Sequence, residues 1–317
     1  MRLRDGAIMD GSISIITGGS MGESSTSGSE PTVSTDDRHR YVRRLALESL
    51  ERRGVRVRPA PQDALGDDCF MDQTGNHYRL YNLQLQCAQR PPVEWASAVE
   101  FHFDQQFAGR SDPEPAELTE AEFLAQVRTR LQTPDTSGMT SMRYARPAFD
   151  GLVAELSRDL PTVVKTVGDN DVAGRDLNFL YEVGQRNTDA EPVSVQALDR
   201  NVFALTGDSF FIASKALNMP RLMETVLGGV APLGMVFSVP HRSLLFLHGV
   251  GESTADAVGW LASVTVGQTE NPPGGAVSRD TYFWHGGAVQ RITEIDTRVR
   301  SISLLRDGAF AEAMGQL

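Results

Sequence analysis

The residues best suited to metal binding or proton transfer are three histidines of the C-terminal half, His241, His248 and His285. Imidazole nitrogens bind transition metals and transfer protons near neutral pH, so a cluster of them could serve a metal-dependent hydrolase. His241 is predicted in the turn Pro240–Ser243 and His285 in a second turn, which predicts exposure for both. His248 is predicted at a strand end. Their spacing does not indicate a shared site, and no Ser/His/Asp or Cys/His arrangement accompanies them.

The turn that contains His241 and Arg242 is the strongest candidate for a functional surface, because no role in a core explains its residues. His285 is grouped with this turn as a second exposed imidazole. The sequence therefore predicts a possible exposed functional turn made of His241, Arg242 and His285. It predicts no catalytic residue, no cofactor-binding residue and no metal ligand.

Three loops resemble ligand-binding motifs but lack residues that those motifs need. Gly249–Thr254 follows a strand and opens a helix, as a dinucleotide-binding loop does, but threonine replaces the third glycine and Glu252 adds negative charge. Gly18–Gly22 fits the spacing of a nucleophile elbow, but the Ser-rich stretch after it cannot form the required helix. Asp169–Leu180 begins like a calcium loop and lacks the bidentate glutamate at its end. We expect no cofactor at any of them.

The elements that would position these residues are most clearly patterned in Met235–Val266. This stretch predicts a strand, a four-residue turn, a second strand, a glycine-containing loop and an amphipathic helix. A helix is predicted to begin at Asn218 and to end at Gly228. Other strands are predicted at 161–167, 177–183, 202–205, 210–213, 281–284 and 288–292, and a helix at 151–160. Consecutive hairpins between helices predict a mostly antiparallel sheet with helices on one face.

The N-terminal half predicts a similar layer of helices and antiparallel strands. Strands are expected at 55–58, 69–72 and 77–85, and helices at 41–50, 91–107 and 118–131. A break at 134–138 suggests a boundary. The predicted fold is α+β, with a disordered leader at residues 1–35, an N-terminal domain at 36–133 and a C-terminal domain at 140–317. The leader is expected to be disordered because its Ser, Gly and Thr residues have little surface to bury.

The composition of the chain argues against two classes of binding partner, nucleic acids and membranes. The 317-residue chain carries a formal charge of −11, which repels phosphate backbones and argues against nucleic-acid binding. No apolar run is long enough to span a membrane, so no membrane partner is expected. Cys69 and Cys87 are too few for a disulfide scaffold and are expected to be buried free thiols, which suits the reducing cytoplasm.

Part of the C-terminal half resembles a known family. Leu160–Lys165, Val172–Gly174 and Phe237–His241 are similar to segments of the YtpQ-like family of bacterial proteins, over roughly residues 145–295. That family has no established activity, so the resemblance implies a bacterial protein and carries over no functional residue. The leader rich in Gly and Ser departs from the family pattern.

The sequence as a whole favours a cytoplasmic, non-catalytic module that is protein-binding or chaperone-like. The basis for this expectation is a well-patterned core, an acidic surface and the lack of a convincing catalytic arrangement. Two alternatives remain open: a metal-dependent hydrolase that uses the C-terminal histidines, and an immunity or antitoxin-type partner protein. The sequence makes no prediction of oligomeric state.

Overall fold

The computed structural model describes residues 34–60, 68–109, 112–134, 142–161, 163–229, 231–270, 272, 275–296, 301–305 and 307–317. Within these ranges helices are combined with antiparallel sheets, which confirms the predicted α+β class. The predicted disordered leader falls almost entirely outside the described residues, as does most of the predicted break at 134–138. In the described part of the chain, no helix is both long enough and apolar enough to cross a membrane.

The first layer combines three long helices with a small sheet. It contains α1 Thr35–Arg52, β1 Val57–Pro59, β2 Cys69–Asp72, β3 His77–Arg79, α2 Tyr81–Ala88 and α3 Trp95–Ala108. The hydroxyl of Ser34 accepts a hydrogen bond from the amide of Asp37 and so caps α1. Gly54 follows the helix at a φ of 74°, a conformation that favours glycine. The three helices bury their apolar side chains against Phe70 and Tyr78 of the sheet.

The second layer is a small sheet that packs against helices. It contains α4 Glu120–Gln126, β4 Val127–Gln132, β5 Arg146–Pro147, β6 Val153–Asp159, β7 Val164–Thr166, α5 Asp169–Val172 and α6 Leu177–Ala190. The central strand β6 pairs with β4 along one side and with β5 and β7 at its two ends. Gly184 lets α6 lie close to the sheet, because a Cβ there would be 3.0 Å from the hydroxyl oxygen of Thr129.

The third layer is a six-stranded antiparallel sheet with the order β13-β12-β10-β11-β9-β8. Its strands are β8 Ser194–Ala197, β9 Val202–Thr206, β10 Met235–His241, β11 Leu244–Gly249, β12 Thr281–His285 and β13 Ala288–Arg291. Helices α8 Thr254–Gln268 and α9 Gly308–Met314 pack on one face. A 3-10 helix, Ala213–Asn218, and the helix α7, Met219–Leu222, pack on the other. The prediction that helices cover only one face is therefore wrong. A separate hairpin is formed by β14 Thr293–Asp296 and β15 Ser301–Leu304.

Several segments have a secondary structure different from the predicted one. Strands are predicted at residues 81–85 and 177–183, but both segments are helical. Helices are predicted at residues 127–131 and 153–159, but both segments are strands. The strand predicted at residues 210–213 is not formed. Cys87 consequently lies in a helix, although it is buried and free as predicted. The unit at Met235–Val266, the hairpin of β12 and β13, and the helix that begins after Asn218 are confirmed.

The predicted domain boundary between residues 133 and 140 separates two strands of one sheet. β4 ends at Gln132 and pairs over its whole length with β6, which begins at Val153. Hydrophobic packing changes earlier in the chain, because the core of the first layer extends to Phe107 and the next cluster begins at Leu118. The division into an N-terminal domain at 36–133 and a C-terminal domain at 140–317 stays a prediction.

Candidate functional site

The first predicted site residue, His241, is buried and not exposed. It is the last residue of β10, only 6% of its surface is accessible, and it pairs with Ala276 in an isolated bridge. The segment after Ala276 continues this cover, since the amide of Val277 donates to the carbonyl oxygen of Pro240 at 2.8 Å. The predicted exposure of His241 is therefore wrong, because a distant segment of the chain lies along the end of its strand.

Arg242 is half-buried in the turn that follows β10. Its carbonyl oxygen accepts a hydrogen bond from the amide of Ala213 at 3.0 Å, and its guanidinium carbon lies 3.5 Å from the centre of the Phe210 ring. The hydroxyl of Ser243 donates to the carbonyl oxygen of Ser209 at 3.3 Å. These contacts hold the turn against residues 209–213, so that the side chain of Arg242 is both fixed and partly accessible.

The predicted histidines do not come together. His285 is exposed, as predicted, and stacks on Phe283 with ring centroids 6.2 Å apart. His248 is fully buried and lies opposite Val236, five residues from His241 along β10. At about 3.4 Å per residue, this separation along the strand is about 17 Å. Among the described residues, no group of three or more His, Cys, Asp or Glu side chains could hold a metal ion.

Both ring nitrogens of His248 are used within the fold. Nδ1 lies 3.0 Å from the carbonyl oxygen of Asn201, which can only accept, so Nδ1 carries the proton. Nε2 lies 3.0 Å from the hydroxyl of Thr254 and accepts from it. That hydroxyl in turn accepts from the amide of Gly251 at 2.8 Å. The loop amide that would contact a pyrophosphate in a dinucleotide site is thus already bonded, which supports the interpretation of the loop as a connection.

Protonation of His241 is expected to destabilise the fold. Burial, followed by the positive charge of Arg242, lowers the pKa of His241 from about 6.5 to about 4. Between pH 6.5 and pH 4 the imidazole of His241 binds a proton in the unfolded chain but not in the folded chain. The free energy of unfolding should therefore fall by up to about 3 kcal/mol over this range. The free energy of unfolding can be measured in urea at pH 7 and at pH 4.5. Between these two pH values it should fall by about 2–3 kcal/mol less in His241→Gln than in the unaltered chain.

The exposed His285 provides the matched control for this measurement. His285→Gln should retain the full loss of stability on acidification, because it replaces an exposed histidine and leaves His241 in place. An identical pH dependence for His241→Gln and the unaltered protein would show that His241 is not held neutral by the fold.

A groove lined by both polar and apolar residues runs along α6. It consists of two adjoining depressions of about 490 and 660 Å³ that share Glu182 and Gln185. Arg146 crosses the first depression, where its Nη2 donates to Oδ1 of Asn178 at 2.6 Å and its guanidinium lies 4.0 Å from the centre of the Tyr181 ring. The described residues that line the groove include no Ser, Cys or His.

The open edge of the six-stranded sheet is the most distinctive binding feature. All four residues of the edge strand β8 are exposed, including the apolar Val195 at 45%. The amide of Leu198 donates to the carbonyl oxygen of Val202, which fixes the alternation of hydrogen-bonded pairs between β8 and β9. By that alternation Ser194 and Gln196 bond to β9, whereas the N–H and C=O groups of Val195 and Ala197 point away from the sheet.

Two other strand edges in the described chain are closed or charged, whereas β15, with the sequence Ser-Ile-Ser-Leu, also lacks a charge and a proline but belongs to a two-stranded hairpin. Along β4 the amide of Thr129 donates to the hydroxyl of Thr188, and the amide of Leu131 donates to the hydroxyl of Ser214. The opposite edge strand of the large sheet, β13, carries the charged side chain of Arg291. Proteins commonly use charges, prolines or covering groups to prevent pairing at strand edges. β8 has the sequence Ser-Val-Gln-Ala and contains neither a charge nor a proline.

Comparisons with known proteins add no relative to this description. No family model, no curated protein and no solved structure matches the chain. The resemblance to the YtpQ-like family therefore stays a prediction.

Proposed function

We propose that this protein is a non-catalytic binding module that pairs an extended segment of another protein with β8. The observation that carries this proposal is the uncharged, fully exposed edge strand with outward-facing backbone groups at Val195 and Ala197. Strand addition gains affinity from main-chain hydrogen bonds, and pockets for alternate side chains give it specificity. Val195 supplies an exposed apolar side chain at the centre of such an interface.

We further propose that this binding takes place in the cytoplasm, where the thiols of Cys69 and Cys87 would remain reduced. A chaperone-like role and an immunity or antitoxin-type role are two forms of the same proposal, since both need a protein partner. The alternative of a hydrolase that uses the histidines has no structural support, because His241 and His248 lie at opposite ends of one hairpin.

Proline at position 195 tests the proposal. The N–H of Val195 points away from β9, and proline is tolerated at such positions of edge strands, so Val195→Pro should fold. It removes one main-chain donor and obstructs the approaching strand. We expect the dissociation constant for the partner to rise at least about tenfold. The reason is that one hydrogen bond is lost and the proline ring obstructs the approaching strand.

The partner would be captured with the tagged full-length chain, identified by mass spectrometry, purified and titrated by calorimetry. Val195→Thr keeps the N–H and the branched shape, so it should bind within about twofold of the unaltered protein. Equal affinity of the proline variant and the unaltered protein would contradict the proposal. So would a dimer seen by sedimentation that dissociates only in the proline variant, because the strand would then pair two copies of this chain.

A further inference from the structure

One stripe of side chains on α6 lines both depressions of the groove. Its members lie at the spacing of successive helical turns, and they are Asn178, Glu182, Gln185 and Asp189. At about 1.5 Å per residue the stripe is about 17 Å long, which is the length of about five residues of an extended chain. The groove therefore has the dimensions of a binding site for a short peptide segment.

The side-chain amides of the stripe have hydrogen-bonding groups to spare. Oδ1 of Asn178 accepts from Arg146, so Nδ2 of the same amide is left to donate. Nε2 of Gln185 donates to Oδ1 of Asp189 at 2.8 Å, so Oε1 of that amide is left to accept. Each peptide unit of an extended chain offers one donor and one acceptor. The stripe can therefore bond to the backbone of a peptide.

Arg146 is held in place at one end of the stripe. Its Nη2 atom donates to Oδ1 of Asn178 at 2.6 Å, and its guanidinium carbon lies 4.0 Å from the centre of the Tyr181 ring. The hydroxyl of Tyr181 donates at 2.8 Å to the carbonyl oxygen of Ala154, the residue opposite Arg146 in the pairing of β5 with β6. Because the guanidinium is already fixed, it loses less freedom when it binds a ligand.

The positive charge of Arg146 is available to an anionic ligand. In the described part of the chain Arg146 forms no ion pair, and its guanidinium contacts an amide oxygen and an aromatic ring instead. In the second depression, Arg221 is exposed and already pairs with Glu224 at 3.0 Å, and Arg186 is exposed. Glu182 lines the same depression as Arg146, and its negative charge disfavours a doubly charged phosphate more than a carboxylate. A carboxylate is therefore the anion that fits Arg146.

The first depression also has an apolar lining beside Arg146. The residues that form it are Pro147, Ala148, Ala154 and Leu217. A small apolar side chain that enters with the carboxylate would be removed from water against them. The depression thus suits the last residue of a polypeptide, whose carboxylate and side chain it could take up together.

We propose that the groove along α6 binds the C-terminal segment of another polypeptide, with the terminal carboxylate on Arg146 and an apolar last side chain against Ala148 and Leu217. A guanidinium has five N–H donors and Asn178 takes one, so a pair remains for the two carboxylate oxygens. The preceding peptide units extend along the stripe toward Asp189. Capture of a terminal carboxylate is a different mode of recognition from strand addition. Either this proposal or pairing at β8 can therefore fail without the other.

A library of random pentapeptides displayed with free C-termini is the probe for the full-length protein. Selection should enrich peptides that end in an apolar residue. The enriched peptide would be synthesised once with a free carboxylate and once with a C-terminal amide, and both forms would be titrated by fluorescence anisotropy. We expect the amide form to bind at least about tenfold more weakly, because it loses charge-assisted hydrogen bonds to Arg146.

Arg146→Gln separates recognition of the carboxylate from a general effect on the fold. It should weaken binding of the carboxylate form at least about tenfold and change that of the amide form less than about twofold. If Arg146→Gln does not fold, Arg146→Lys keeps the charge without the fork and should bind the carboxylate form several times more weakly. The control is Arg143→Gln, which should bind as the unaltered protein does. The side chain of Arg143 is 87% exposed, pairs with Asp169 and lines neither depression.

Three outcomes would overturn the proposal. They are a selection that enriches no C-terminal motif, equal affinity for the two forms of the peptide, and an equal loss of affinity for both forms in Arg146→Gln. A selected peptide whose affinity falls in Val195→Pro and not in Arg146→Gln binds at β8, and it would count against the groove in the same way.

Discussion

Replacing Glu155 with glutamine is expected to lower the free energy of unfolding by about 3–5 kcal/mol, the usual cost of removing one partner from a buried ion pair. Glu155 is fully buried in β6 and stands directly opposite Arg130 of β4. Without its carboxylate, the cation of Arg130 would lose the anion that lies 4.0 Å from its Nη1 atom. Urea unfolding at neutral pH measures this loss directly.

An exposed ion pair in the same chain provides the control. Lys165 lies 3.6 Å from Glu114, whose side chain is 69% exposed. Glu114→Gln should cost less than about 1 kcal/mol, because solvent screens such pairs. If the Glu155 and Glu114 variants lose equal stability, the buried pair contributes no more to stability than a surface pair does.

Alanine at position 234 is expected to be the most damaging glycine substitution. Gly234 has a φ of +98°, and a Cβ there would lie 2.6 Å from both the Phe283 ring and the carbonyl oxygen of Trp284. The strained backbone and the overpacked core each cost about 1–3 kcal/mol, so the expected loss of unfolding free energy is about 2–6 kcal/mol. Thermal and urea unfolding of Gly234→Ala would measure it.

Gly287 separates the two causes of this loss. It has a φ of +88°, but a Cβ there would have no neighbour within 4 Å. Gly287→Ala should therefore lose only the conformational part, about 1–2 kcal/mol. Equal losses in the Gly287 and Gly234 variants would show that the close approach of β12 to Gly234 does not limit the side chain at that position.

The unit Met235–Val266 could be predicted because its signals are local. The strands of its hairpin are continuous apolar runs bounded by turn residues, and its helix follows a glycine-containing loop. The hairpin of β12 and β13 was equally clear, since Gly286 and Gly287 both adopt the positive φ that its turn requires. In these places chain-local chemistry and tertiary packing favour the same structure.

The secondary-structure predictions are wrong where burial of a segment hides the hydrophobic pattern that would identify it in the sequence. Five consecutive residues of β6 are buried, so the strand shows no alternation, and Leu152, Val153 and Leu156 fitted a helical face. The start of α6 is rich in aromatic and branched residues, which favoured a strand. Its helical signal was Asp176, whose side chain accepts from the amides of Asn178 and Phe179 and caps the helix.

The candidate sites were harder to predict than the fold. His241 is covered by the segment at Ala276, and no periodicity in the sequence connects positions so far apart. The open edge was missed because β8 is fully exposed and therefore has no hydrophobic pattern.

Amide hydrogen exchange in the complex tests strand pairing at β8 most directly. The protein would be labelled alone and with its captured partner, and exchange would be followed at single residues by NMR. Pairing predicts that the outward amides of Val195 and Ala197 exchange at least about tenfold more slowly in the complex, while Gln196, already bonded to β9, is protected in both states. Unchanged exchange at Val195 and Ala197 in a fully formed complex would contradict binding by strand addition at β8.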